Sequence, residues 1–136
     1  MNRVFVDTLF VIALINRRDQ YHQRASELAN KYEGHPLLTT DSVLLEIGNA
    51  LTRNFRKQSI EIIEEFYASE ETEIIHLNPQ LLRQAFEQYK MYQDKEWGLV
   101  DCVSFVVMRQ TGIGRALTFD QHFVQAGFTA LMREDA

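Results

Sequence analysis

Short runs of apolar, often β-branched residues alternate along this chain with longer segments of helical period, and that alternation restricts the fold more than any other feature. Arg3 to Val6 is one such run, and Thr8 to Asn16 behind it is almost wholly apolar, so both belong in the interior. Asp7 stands at their junction. Gln20 to Tyr32 sets Tyr21, Ala25, Leu28, Ala29 and Tyr32 at helical spacing and stops near Gly34. His35 to Thr39 reads as a second strand, with Pro36 tolerated near its start. Thr40 or Asp41 caps a helix that runs to about Lys57, with Val43, Ile47, Ala50, Leu51 and Phe55 along one side. On a second face of that helix fall Glu46, Asn49 and Arg53. A helix from Ser59 to Ser69, a strand from Glu73 to Leu77 and a helix from Asn78-Pro79 to about Tyr92 follow. Lys90 to Gly98 is polar and reads as a loop. A buried helix then covers Val100 to Arg109 until Gly112 and Gly114 break it, leaving a strand at Arg115 to Phe119, a short helix at Gln121 to Gln125 and a last strand at Phe128 to Met132. Strands joined through helices make right-handed crossovers, so the expected fold class is α/β, three layers α/β/α around a mostly parallel central sheet.

With 136 residues, 46% of them hydrophobic, the chain has the size of a single domain with one core, assigned to residues 1–136. Cys102 has no second cysteine to pair with, which fits a reducing compartment and points to the cytoplasm. A secretory reading of Val4 to Ile15 meets Asp7 within the run and no small-residue cleavage site before Arg17-Arg18-Asp19. No stretch approaches the ~20 apolar residues that cross a bilayer, so no membrane role is expected. The net charge of −5 speaks weakly against a nucleic-acid partner. Setting aside four acids of special placement brings the balance close to neutral.

Those acids are Asp7, closing an apolar strand; Glu46, inside a helix; Asp101, opening one; and Asp120, after another strand. A carboxylate at the end of a buried strand is costly unless a cation or hydrogen-bond donors meet it. In an open parallel sheet ligands bind beyond the carboxyl ends of the strands, where Asp7 and Asp120 are expected, and the opening turn of a helix favours the negative charge of Asp101. Like charges gathered there repel, and a cation makes the cluster sensible. With no His or Cys at metal spacing, all-oxygen ligation favours Mg²⁺, or Mn²⁺ as substitute, over Zn²⁺. Such an ion activates water and stabilises phosphoryl transition states.

Four segments carry a resemblance: Val4-Phe5-Val6-Asp7-Thr8, Leu44-Leu45-Glu46-Ile47-Gly48-Asn49-Ala50-Leu51, Trp97 to Phe105 around Asp101, and Ala116-Leu117-Thr118-Phe119-Asp120-Gln121-His122-Phe123. In order and over nearly the whole chain, they resemble the successive motifs of PIN domains. The resemblance implies a PIN-like α/β fold and metal-dependent cleavage of single-stranded RNA. Bacterial and archaeal members are often VapC-type toxins of toxin–antitoxin modules. Carried over, Asp7, Glu46, Asp101 and Asp120 would be the acidic quartet that is both catalytic and metal-binding, with Asp7 and Asp101 the firmest ligands. An antitoxin protein and a homodimeric state are further expectations from the same resemblance. At Leu9 the chain departs from the commoner pattern, in which Ser or Asn often follows the Asp-Thr pair.

Other residues carry weaker expectations. Asn49, Arg53, Ser104 and Thr118 are candidate substrate contacts, Asn49 and Ser104 lying one helical turn from Glu46 and Asp101. Thr8 and Thr118 are placed to donate hydrogen bonds to the acids, although threonine beside a strand end is commonly a turn or cap residue. Asp7, Asp101 and Asp120 have helix capping as their ordinary alternative, and Glu46 a solvated or ion-paired position. Arg17, Arg18, Arg56 and Lys57 join Arg53 as candidate phosphate contacts. His22, His35, His76 and His122 are dispersed and read as structural or exposed, and Cys102 and Trp97 read as packing residues. A phosphoaccepting receiver domain needs an acceptor Asp at the end of its third strand, where Ile74-Ile75-His76-Leu77-Asn78 has none. An aspartyl-phosphate hydrolase needs a second Asp where Leu9 stands. A PIN-like module that binds RNA or protein without cutting would lack one of the four acids, and none is missing.

Overall fold

A computed structural model describes residues 2–133. Five parallel strands, β1 (Val4–Val6), β2 (Leu37–Thr40), β3 (Thr72–Ile75), β4 (Arg115–Leu117) and β5 (Thr129–Ala130), form one sheet in the order β3-β2-β1-β4-β5. Around it pack α1 (Thr8–Ile15), α2 (His22–Lys31), α3 (Asp41–Leu51), α4 (Arg56–Ala68), α5 (Pro79–Met91), α6 (Leu99–Thr111) and α7 (Gln121–Gln125), giving the three-layer α/β/α architecture expected from the sequence. β1 pairs with β2 on one side and β4 on the other, with Phe5 opposite both Leu38 and Ala116. The chain moves outward from β1 in one direction through β3 and then returns to build β4 and β5 on the opposite side. The gap between β1 and β4 is therefore the switch point at which an α/β sheet opens a crevice beyond its carboxyl edge.

Side-chain alternation along the short strands explains the two covered faces. Val6, Leu37 and Leu117 line one groove together with Phe10 and Val11 of α1, Ala29 of α2 and Phe66 of α4. From the other face Phe5 meets Phe123 of α7 with ring centroids 6.4 Å apart, and Phe123 meets Phe105 of α6 edge-on at 5.0 Å. Trp97 closes that cluster over Phe105 while its Nε1 donates to Gln125, which settles it as a packing residue. Val4, Phe5, Phe105 and Phe123 are fully buried. This continuous core fixes the ends of β1 and β4 and the start of α6 relative to one another.

Most boundaries shift by a few residues, and two differ in a way that bears on the site or the core. The helix predicted to run to Lys57 stops at Leu51; residues 52–54 form a turn, and Arg56 starts α4. Thr52 turns its hydroxyl back onto the carbonyl of Gly48, and the Phe55 amide donates to Leu51, so the backbone is satisfied through the break without Gly or Pro. The last strand is only two residues long, and Leu131–Arg133 forms a 3₁₀ turn that docks Leu131 and Met132 in the core. The end of α6 follows the glycine signal: Gly112 sits at φ 72°, and the Ile113 amide donates to Met108 in place of a further helical turn.

Candidate metal centre

Asp7 is delivered by β1 and held by β4. Its backbone N–H donates to Leu117, its carboxylate Oδ2 accepts from the Thr118 hydroxyl at 2.9 Å, and the residue is only 5% exposed. Although Asp7 occupies the N-cap position of α1, its side chain makes no capping hydrogen bond there, so capping does not account for it. Its carboxyl is raised to about 7, chiefly by burial, with the charges of Asp101 and Glu46 adding to the rise and the Thr118 hydrogen bond opposing it.

Glu46 comes from α3, whose start is fixed by the Thr40 hydroxyl accepting from the Val43 amide. The Thr8 hydroxyl donates to Glu46 Oε1 at 2.7 Å, tying α3 to the first turn of α1. Asp101 lies in the first turn of α6, where Oδ2 accepts from the Gly98 amide at 3.0 Å. Both carboxyls are raised, chiefly by burial. The Asp101 charge adds to the rise at Glu46, and the Asp120 charge to that at Asp101. Asp120 follows β4 and does cap α7 through the His122 amide at 2.9 Å, while its own amide donates to Thr118 Oγ1 at 3.1 Å. One hydroxyl, Thr118 Oγ1, therefore links Asp7 to Asp120.

The four acids open into one cleft of about 570 Å³, lined also by Thr8, Leu9, Asn49, Ala50 and His122. Asn49 is exposed on its wall. Leu9 adds an apolar side chain to this lining. Of the other candidates, Arg53 is not on the Glu46 face, because α3 has already ended; it is exposed in the turn that follows. Ser104 lies one turn beyond Asp101 but is buried, with no hydrogen-bond partner for its Oγ, and it does not line the cleft. Cys102, beside Asp101, packs in the core with its thiol pushed up to about 11 by burial, which leaves no thiolate at neutral pH.

Sequence reasoning missed His122. Its Nδ1 is 3.1 Å from Asp101 Oδ2 and 3.4 Å from Asp120 Oδ1, and ligand atoms of these three residues all lie within 4.8 Å of one another. A ring nitrogen thus sits among the carboxylate oxygens. Its only local signal is the spacing of two residues from Asp120. A carboxyl raised first by burial and then by neighbouring carboxylates calls for a counter-charge, and the donors fit a divalent cation.

Thr118→Val tests the electrostatic account within the site. Loss of a hydrogen bond to a charged group, worth about 1.5–3 kcal/mol, should raise the Asp7 carboxyl by roughly 1–2 pH units in the metal-free protein. Carboxyl-carbon NMR titration reads this directly, and an Asp7 titration at or below its wild-type position would contradict it.

The PIN domain family profile matches residues 4–129. The 23S rRNA-specific endonuclease VapC20 of Mycobacterium tuberculosis, from strains CDC 1551 / Oshkosh and H37Rv, is 32% identical over 133 residues, covering 96% of this chain and 99% of the relative. The crystal structure of Mycobacterium tuberculosis VapC20, described as a Sarcin-Ricin loop cleaving toxin, superposes with a TM-score of 0.82 at 32% identity, covering 93% of this chain and 96% of that one.

Proposed function

This chain belongs to the PIN domain family, and from that premise we propose that it is a metal-dependent endoribonuclease that cuts single-stranded RNA and acts as the toxin of a toxin–antitoxin module. The observation that carries this reading is the convergence of Asp7, Glu46, Asp101 and Asp120 on one cleft at the β1–β4 switch point. The relatives named for cleaving 23S rRNA and its sarcin–ricin loop support a substrate of the same kind, an exposed loop in a structured RNA. The rival reading, a PIN-like module that binds RNA or protein without cutting, has nothing in the cleft to favour it, since all four acids are present there.

Asp7, Asp101, Glu46 and Asp120 would hold Mg²⁺, or Mn²⁺ as substitute. When bound, such an ion supplies Lewis-acid stabilisation of the phosphoryl charge and a lowered pKa for water. The protein's part is to position. Thr118 fixes the carboxylate plane of Asp7, and Thr8 fixes that of Glu46, so neither acid must be reordered when substrate arrives. The first-turn amides of α6 favour the anionic form of Asp101. Asn49 offers an amide donor on the cleft wall for a phosphate or ribose oxygen. A single nuclease domain over residues 1–136, a cytoplasmic location, an antitoxin partner and a homodimer belong to the same proposal. No described helix is long and apolar enough to cross a membrane.

The test is cleavage of an RNA panel rich in single-stranded loops by purified protein with Mg²⁺ or Mn²⁺. Cleavage that persists unchanged in excess chelator would overturn the metal mechanism. Ca²⁺, which tolerates looser and higher coordination, should bind yet support little turnover. Arg53, together with Arg56 and Lys57, is exposed where the turn joins α3 to α4 beyond Asn49. If Arg53 meets one phosphate there, Arg53→Ala should lower the salt slope of RNA binding by about 0.7 while metal affinity is unchanged. An unaltered slope would assign Arg53 to the protein surface alone.

A further inference from the structure

His122 places a nitrogen where the acidic cluster has been read as supplying oxygens alone. Cis ligands of an octahedral ion with bonds of about 2.1 Å lie about 3 Å apart. The separations from His122 Nδ1 to Asp101 Oδ2, a hydrogen bond in the ion-free protein, and to Asp120 Oδ1, 3.1 and 3.4 Å, match that spacing. Nothing in the local backbone demands this ring position. The His122 main-chain amide already serves the Asp120 cap, and that bond would exist with any residue at 122. The ring instead crosses from α7 to the first turn of α6 and meets a carboxylate 21 residues away in sequence. The Gly98 amide holds the same Asp101 oxygen from the far side, as an outer partner orients a ligand.

We propose that His122 Nδ1 is a ligand, with Asp101 and Asp120, to the divalent ion of this cleft, and that it makes the chain selective for Mn²⁺ over Mg²⁺. The proposal rests on the cleft being a cation site. Its chemical basis is the donor type: Mg²⁺ holds to oxygen and water, while Mn²⁺, although it stands lowest in the first-row series and also suits carboxylates, is the one of the two ions that is a transition metal and gains from a nitrogen donor. Asp7, whose carboxylate accepts from Thr118, and Glu46, whose carboxylate accepts from Thr8, remain oxygen donors in the same cleft. A nitrogen in the set therefore leaves Mg²⁺ binding supported by oxygens while adding affinity for Mn²⁺ alone.

The experiment is Mn²⁺ titrated into the full chain, with electron spin echo envelope modulation of the bound ion and competition against Mg²⁺. Wild type should show a directly coordinated ¹⁴N, and His122→Ala should lose it. Even outer partners of a metal are worth about 10–100-fold in affinity, so the preference for Mn²⁺ over Mg²⁺ should fall at least tenfold in His122→Ala. Mn²⁺ that binds wild type tightly with no nitrogen coupling would overturn the proposal and leave the cation site standing. An unchanged Mn²⁺ to Mg²⁺ ratio in the variant would do the same. Failure of wild type to bind Mn²⁺ at all would overturn both this inference and the reading beneath it. The wild-type spectrum needs no variant, so the outcome does not depend on how His122→Ala folds.

Discussion

Asp7→Asn should give a protein that melts above metal-free wild type at pH 8 and no longer cleaves RNA. Asn is nearly the same size, and its side-chain carbonyl can still accept from Thr118, so packing and the hydrogen bond at the strand end are kept. What disappears is a buried negative charge whose carboxyl has been raised from 3.8 to about 7 by desolvation and by Asp101 and Glu46. At pH 8 that difference corresponds to a destabilisation of up to about 4 kcal/mol in the folded apo protein. Removal of the charge should recover part of it. The activity goes the other way, because a neutral amide cannot replace an anionic ligand; losing several kcal/mol of transition-state stabilisation is roughly a thousandfold in rate. Chemical denaturation and RNA cleavage on the same preparation check both halves. A variant less stable than apo wild type, or one that keeps its activity, would contradict the assignment.

The pH dependence of stability should have opposite slopes without and with metal. Asp7 retains its proton in the folded state up to about pH 7 but loses it near 3.8 when unfolded, so between those values the native state binds more protons. Its contribution is fully present below about pH 3.8 and is lost as pH rises through 7. Stability of the apo protein therefore falls across that window by up to about 4 kcal/mol on account of Asp7. The raised carboxyls of Glu46 and Asp101 act in the same direction. With saturating Mn²⁺ the carboxylates must be ionised to bind, so metal-linked stability rises through the same window. The difference between wild type and Asp7→Asn isolates this residue from the other acids of the chain. A difference that stays flat from pH 4 to 8 in the apo proteins would mean that Asp7 is not the strained group.

How far the sequence led depended on whether the signal was local. β1 and β4 were legible because apolar runs end in an acid at each, and an acid there is costly enough to demand a reason. The acids themselves came together as their positions at strand ends and helix starts implied, and the family resemblance agreed. The break between α3 and α4 was not legible: no Gly or Pro separates Leu51 from Arg56, and the turn is set by Thr52 folding onto Gly48 and by Phe55 packing against the core. The same break takes Arg53 off the Glu46 face, because α3 ends at Leu51. Ser104 sits in the interior because α6 is buried around Val103, Ser104 and Phe105, so a one-turn offset from Asp101 leads inward. His122 escaped because its partner Asp101 is distant in sequence, and only the packing of α7 against α6 brings the ring to the carboxylate.

Whether these carboxylates form a cation site or serve only as helix caps is decided at Asp101, which both accepts from Gly98 in a capping arrangement and faces the cleft. Four melting curves settle the matter: wild type and Asp101→Asn, each with and without Mn²⁺. If Asp101 is a ligand, apo Asp101→Asn melts at or above apo wild type, wild type gains about 2.7 kcal/mol at Mn²⁺ a hundredfold over its Kd, and the variant gains much less. A variant markedly less stable than apo wild type that gains as much from Mn²⁺ would show Asp101 to be a structural cap and contradict the account.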